Sequence, residues 1–320
     1  MLCSTFTDCD KFAIFSEEIL ANFTPRINNT MLRSIKKSVK AQRVNMGGIL
    51  LDQAIPLQGI DNIDPVILIH HWRDELKGGK KPAEMGVGPH PHRGFAPVTF
   101  IFEGGVHHRD SIGNSEVVTA GGTQWMHSGK GIVHSERPPK EMAADGGLFE
   151  IIQFWVNVPA SHKMVDPYYH PVSRKDTPWI LSRDGKVKTG VVAGKLGETE
   201  GPVDTQSPML MVRLEMEAGG TTTLQVPEEF NALTYQLDGN CVINNEHPSG
   251  AKDLFWFEND GNEIHIEAKE DTRLIMLSGE PINEPIATYG PFVMNSEEEL
   301  MQAIQDYQSG KMGRLVENFD

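Results

Sequence analysis

From about residue 35 onward, apolar residues come in short runs broken by Gly, Pro, Asn and Asp. The runs fall at 48–51, 66–70, 98–102, 116–118, 131–134 and 149–158. Runs this short and this closely spaced predict strands, and a long series of them predicts a sandwich or closed barrel. A polar, Pro-containing stretch from 159 to 178 reads as a linker. The β texture then resumes at 187–192, 209–215, 221–226, 233–237, 254–257, 263–267 and 273–277. The last segment changes period. Asn295 reads as an N-cap with Glu298 three residues on, as in a capping box. Leu300, Ile304 and Tyr307 then recur at helical spacing and Gly310 ends the run. This predicts a terminal helix of about three turns.

The two β-rich halves resemble each other. Val98–Gly104 lines up with Leu233–Gly239, each an apolar strand entering an acidic-Gly turn. His134-Ser135-Glu136 lines up with His265-Ile266-Glu267. Self-similarity at this length predicts a duplicated domain, because solenoid repeats are far shorter. The expected organisation is an extension over 1–30, helical or disordered, a first β domain over 31–165, a second over 166–290, and a helix and tail over 291–320.

Composition narrows the function classes. The chain of 320 residues carries a net charge of −15. Nucleic-acid binding draws its affinity from Lys and Arg neutralising phosphates, so direct binding is disfavoured. The cluster Arg33-Ser34-Ile35-Lys36-Lys37 is short and reads as a solvated strand face or loop. Cys3, Cys9 and Cys241 form no CxxC pair, which argues against a disulfide framework and a zinc ribbon. Charges at Asp8, Asp10, Lys11, Glu17 and Glu18 interrupt any signal-peptide run, and no apolar stretch is long enough to span a membrane. A cytoplasmic protein is the default expectation.

The chemistry lies in two pairs. His90-Pro91-His92 places imidazoles at i and i+2, on one face of a strand, about 7 Å apart. His134-Ser135-Glu136 repeats the arrangement with an imidazole and a carboxylate. Two neighbouring strands presenting these pairs inward would converge His90, His92, His134 and Glu136 on one point. Three neutral nitrogens and one anionic oxygen suit Fe(II), Mn, Co, Ni, Cu or Zn and not the all-oxygen shells of Mg or Ca. His107 and His108 read as a surface or satisfied core pair and not as ligands, His70, His71 and His162 as structural or exposed, and Glu103 and Asp110 as turn residues. In the second half, Thr222–Glu228 holds no histidine, and His265 and Glu267 alternate with Ile264 and Ile266, so they are expected to face outward.

These residues resemble the pirin family. The likeness is carried by Gly88-Pro89-His90-Pro91-His92-Arg93-Gly94-Phe95, by His108-Arg109-Asp110-Ser111, and by Gln124–Glu136. It continues through Gln153-Phe154-Trp155-Val156-Asn157 and Lys163-Met164-Val165-Asp166-Pro167. Gly279-Glu280-Pro281 and Tyr289–Asn295 extend it near the end. It spans roughly residues 45–312. The resemblance implies an all-β chain of two cupin (jelly-roll) barrels with a short C-terminal helix, and one divalent metal, Fe(II) first, in the N-terminal cupin only. The family's ligands fall on His90, His92, His134 and Glu136. Relatives include quercetin 2,3-dioxygenases and a mammalian transcriptional co-regulator. The expectation is therefore a metal-dependent oxidoreductase acting on a flavonol-like enolic small molecule with O2, with Glu136 as ligand and general base. The alternative is a redox-sensing regulatory module acting through protein partners. Two positions depart from the family's usual wording: Ala96 stands where a Glu often follows the Phe, and Arg137 where a Met often follows the Glu. Both border the predicted pocket.

Overall fold

The computed structural model describes residues 31–57 and 59–319, so the expected extension over 1–30 lies outside the described residues. The first half of the described chain runs β1 (Ile35–Lys40), β2 (Gln42–Met46), β3 (Ile49–Ile55), β4 (Val66–Lys77), β5 (Val87–His92) and β6 (Phe95–Glu103). It continues with β7 (Gly105–Asp110), β8 (Ser115–Thr119), β9 (Thr123–His127), β10 (Ile132–Arg137), helix α1 (Lys140–Asp145), β11 (Gly146–Asn157) and β12 (Tyr168–Val172). The second half runs β13 (Trp179–Leu181), β14 (Val187–Ala193), β15 (Lys195–Leu196), β16 (Thr199–Glu200), β17 (Met209–Met216), β18 (Thr221–Gln225) and β19 (Asn231–Asp238). Then come β20 (Asn240–Ile243), β21 (His247–Gly250), β22 (Asp253–Phe257), β23 (Glu263–Ala268), β24 (Thr272–Gly279), β25 (Ala287–Tyr289), β26 (Phe292–Met294) and α2 (Glu297–Gln308).

The strands form two barrels of the same plan. In the first, a seven-stranded sheet ordered β12-β9-β6-β11-β4-β3-β2 faces a four-stranded sheet ordered β5-β10-β7-β8. In the second, β1-β22-β19-β24-β17-β14-β13 faces β18-β23-β20-β21. β6 and β19 hold equivalent places, as the similarity of their sequences predicts. The other proposed match shifts by one residue. Ile264 and Ile266 of β23 point into the second barrel, and His265 and Glu267 point out. A shift of one residue exchanges the two faces of a strand.

The mostly apolar runs of β6 and β11, interrupted by Thr99, Glu150 and Gln153, follow from burial on both faces. Val98, Phe100, Phe102, Ile152, Phe154 and Val156 pack against Leu233, Tyr235, Leu237, Ile275 and Leu277 of the second barrel in one continuous core. Burying Phe100 and Phe154 contributes about 1.5–3 kcal/mol each. A polar bridge crosses the same interface. His71 contacts Tyr235 Oη and Glu150 Oε1, both at 3.1 Å, while Arg273 donates to Glu150 Oε2 at 2.8 Å and to Glu103.

Chain ends cross between barrels. β1, early in the chain, pairs with β22 of the second barrel. β12, inside the stretch that reads as a linker, pairs with β9 as an edge strand of the first barrel, where Pro171 is tolerated. The Lys/Arg cluster is not solvated throughout. Arg33 is buried and donates to the carbonyls of Gly261, Phe230, Pro227 and Glu228. Segment 291–319 returns to the first barrel, with Phe292, Met294, Leu300, Ala303 and Met312 packed on Val133. The helix cap is Ser296, one residue beyond the predicted Asn295. Ser296 Oγ accepts from Glu299 N, and Glu299 Oε2 accepts from Ser296 N, closing the capping box one position later. Asn295 instead donates to Glu284 and Pro285. Among the described residues no helix is long and apolar enough to cross a membrane.

Candidate metal centre

β5 and β10 are antiparallel neighbours, with His134 opposite His90 and Ile132 opposite His92. The same-face spacing therefore converges as the sequence predicts. One nitrogen from each of His90, His92 and His134 lies within 4.8 Å of the others. His92 and His134 are buried and His90 is half-buried. Burial, and then the neighbouring imidazoles, hold His92 and His134 neutral by lowering both well below the ordinary histidine value. Neutral imidazole is the form that coordinates a metal.

The ring orientations follow from the hydrogen bonds. His90 Nδ1 lies 2.8 Å from Gly88 O, and His92 Nδ1 lies 3.1 Å from Pro291 O. A carbonyl only accepts, so each Nδ1 carries the proton and each Nε2 keeps a free lone pair. His134 Nε2 is buried without a hydrogen-bond partner. An unpaired buried nitrogen costs about 1–3 kcal/mol, and a metal ion would remove that cost. The donor set thus fits a first-row transition metal, held by neutral imidazoles whose far nitrogens are oriented by the surrounding structure.

Pro291 reaches His92 because the C-terminal segment presses on the corner after β5. Gly94 there has φ +85°, and a Cβ on it would stand 2.0 Å from Val293 O. Lys163, also buried, ties the same corner by donating to Gly94 O at 2.7 Å and to Asn157 Oδ1 at 2.6 Å.

Glu136 lies on the same inward side of β10 beyond an irregularity in the register, and is outside the group of converging ligand atoms. Its carboxylate accepts from Gln124 Nε2, from Gln153 Nε2 at 3.0 Å and from Thr99 Oγ1 at 3.4 Å. Gln124 accepts in turn from Tyr169 Oη at 3.1 Å, and Gln153 from Trp155 Nε1 at 3.1 Å. Sequence reasoning passed over these supports. Their signal was polarity inside an apolar run: Gln153 stands between Ile152 and Phe154, and Gln124 beside Trp125. His108 is the other surprise. His107 turns outward to Ser115, but His108 is fully buried and its Nδ1 lies 3.4 Å from His134 Nδ1. Asp110 ends β7 and accepts from the turn amides of Ile112 and Asn114 as well as facing His108.

Glu136 and Gln153 also line a small cavity with His70, Leu51, Trp72, Val106, Phe149 and Ile151. Its volume is about 50 Å³. Burial lowers His70 to about 4, so its imidazole is uncharged at neutral pH. Ala96 does not touch this cavity; it is buried in the core shared with the second barrel. Arg137 points to the opposite face of β10 and pairs with Glu317. In the second barrel the corresponding interior is filled by Leu210, Leu214, Leu224, Ile264, Ile266 and Phe257.

The comparisons with known proteins agree with this architecture. Residues 49–156 match the family model for pirin, and residues 211–313 match that for the pirin C-terminal cupin domain. A Pseudomonas aeruginosa protein provisionally named quercetin 2,3-dioxygenase is 38% identical over 235 residues, covering 73% of this chain and 82% of its own. Human pirin is 32% identical over 290 residues, covering 88% of this chain and 94% of its own. The crystal structure of a quercetin 2,3-dioxygenase from Acinetobacter baumannii superposes with a TM-score of 0.84 at 32% identity, covering 89% of this chain and all of that one. With both barrels matched in order and a third of the residues shared along most of its length, this chain belongs to the pirin family.

Proposed function

We propose that this protein is a metal-dependent dioxygenase of enolic, flavonol-like small molecules, with its metal held by His90, His92, His134 and Glu136. The observation that carries the reading is the set of three inward imidazoles, one with an unpartnered buried Nε2, on two strands of which one also carries Glu136, a carboxylate that lines an apolar cavity. Fe(II) is the first candidate, and Ni, Cu, Mn, Co and Zn suit the same donors. When bound, such a metal supplies Lewis acidity toward an enolate and redox contact with O2.

The chain's own residues do the rest. Trp72, Phe149, Ile151 and Val106 offer apolar walls to a planar ring. Glu136 is the proton acceptor for the substrate hydroxyl in this reading. Gln124, Gln153 and Thr99 donate to its carboxylate and hold it in place while it is ionised. The existing cavity of about 50 Å³ is several times smaller than the ~300 Å³ lower end of small-molecule sites. A flavonol therefore needs this cavity to widen, and the β2–β3 hairpin contributes Met46 and Leu51 to its lining.

That small cavity also favours a second reading, a regulatory module whose metal is sensed by a protein partner and not by substrate. One experiment separates the two. Full-length protein loaded with each first-row divalent metal is incubated with quercetin while O2 is monitored. Consumption of O2 with at least one metal supports the dioxygenase. Absence of uptake with all of them overturns it for flavonols.

A further inference from the structure

We propose that Asp110 and His108 are positioning residues that fix the tautomer of His134, directing its Nε2 toward the centre of the triad. The inference rests on the metal reading above. Asp110 Oδ2 lies 2.9 Å from His108 Nε2. The same carboxylate accepts from the amides of Ile112 and Asn114 at 3.1 and 3.0 Å and from Asn114 Nδ2 at 2.7 Å. An ionised carboxylate only accepts, so His108 Nε2 carries a proton. In the neutral ring, His108 Nδ1 is then an acceptor. Its neighbour, 3.4 Å away, is His134 Nδ1. That contact is attractive only if His134 Nδ1 carries the proton, which leaves Nε2 bare. The bare nitrogen is the one that stands buried without a partner.

The relay is buried and packed. His108, His134 and Asp110 are all buried. Tyr169 stacks on His108 with ring centroids 3.8 Å apart and planes within 3°, and its Oη is tied to Gln124. His90 and His92 take their tautomers from backbone carbonyls, which no side-chain change can remove. Of the three rings, His134 is the one whose orientation is delegated to other side chains. Loss of such outer supports typically costs 10–100-fold in metal affinity.

The test uses full-length wild-type protein, His108→Phe and His108→Asn. Phe keeps the buried ring on Tyr169 but has no nitrogen. Asn loses the stack but can place Oδ1 where Nδ1 stood. Two quantities are read: the His134 tautomer in metal-free protein, from long-range ¹⁵N–¹H NMR of ¹⁵N-histidine-labelled samples, and Ni(II) affinity by competition with a chromophoric chelator. Wild type is expected to show His134 protonated at Nδ1 and His108 at Nε2. His108→Phe is expected to bind Ni(II) about 10–100-fold more weakly, and His108→Asn to recover part of that loss although it packs worse. A purely structural role predicts the opposite order of the two variants. His134 protonated at Nε2 in wild type, or His108→Phe binding Ni(II) as tightly as wild type, overturns the proposal. If the tautomers are as stated and wild type binds no metal, the relay stands and the metal reading falls.

Discussion

Arg137 grips both carboxylate oxygens of Glu317, 180 residues further along the chain, with Nε–Oε1 at 3.0 Å and Nη2–Oε2 at 2.8 Å. Arg137 directly follows Glu136, so the C-terminal tail is fastened to the outer face of the strand whose inner face carries the candidate site. Both side chains are about nine-tenths covered. The remaining Arg137 nitrogen donates to Ala83 O and Met85 O. The Met-to-Arg departure noted in the sequence thus has a structural partner in the tail.

Glu317→Ala should destabilise the fold by about 1–3 kcal/mol, the range for losing hydrogen bonds to a charged group whose partner keeps other acceptors. The measurement is the urea midpoint at pH 7. An unchanged midpoint would show that the tail is not fastened in solution.

The tail has a second fastening with a defined pH window. Asp306 pairs with Arg93 at 3.0 Å and accepts from Lys311 and Gln302. The bond from Lys311 comes first, and with Gln302 and Arg93 it outweighs burial and lowers the Asp306 carboxyl to about 2. Its folded value lies below the unfolded one, near 3.9, so the stabilisation is complete above about pH 4. It is lost as pH falls through 2. Asp306→Asn should be less stable than wild type at pH 7, and the gap should close between pH 4 and 2. A gap independent of pH would contradict this assignment.

The two barrels share one core, so they should unfold together. Phe100, Phe154, Leu233 and Leu277 belong to the same packed cluster, and Glu150 and Arg273 bridge it. Glu150 is buried, and truncating it strips buried His71 and Arg273 of an acceptor; Arg273 keeps Asp238 and Glu103, so the cost is about 1–3 kcal/mol. Differential scanning calorimetry should give one transition for wild type and one, at lower temperature, for Glu150→Ala. Two separated transitions would mean that each barrel is stable alone.

Glu136→Gln should separate metal retention from turnover. Three imidazoles remain to hold the metal, while the proton acceptor is gone. O2 consumption with quercetin should drop by about 10²–10⁴, the usual contribution of a general base. Metal content should fall far less. Parallel losses of metal and activity would make Glu136 a ligand without a separate role in proton transfer.

How much of this was legible in the sequence depends on strand parity. His90, His92 and His134 could be read because i and i+2 share a face whatever the register. The His107-His108 pair could not. Neighbouring residues on a strand point opposite ways, and only the register of β7 against β10, which sets His108 across from Glu136, decides which one is inside. The outward placement of His265 and Glu267 was legible, because Ile264 and Ile266 alternate with them and take the core face; only their alignment with His134 and Glu136 was one residue off. Contacts made by the tail were out of reach for another reason. Pro291 beside His92 and Glu317 beside Arg137 are separated by 199 and 180 residues, and no local pattern encodes such a closure. The terminal helix was legible, with its cap one residue off, because Asn295 and Ser296 are both good caps with a Glu three residues on, and only the tertiary contacts of Asn295 with Glu284 and Pro285 leave the capping to Ser296.

The central claim is that the three inward imidazoles hold one metal ion. The most direct test is the metal content, by mass spectrometry, of full-length protein equilibrated anaerobically with Fe(II) and desalted, beside His134→Ala treated identically. The account predicts about one ion per chain for wild type and close to none for the variant, since removing one of three neutral donors dismantles the shell. A wild type that retains no metal, or a His134→Ala variant that retains as much as wild type, would contradict it.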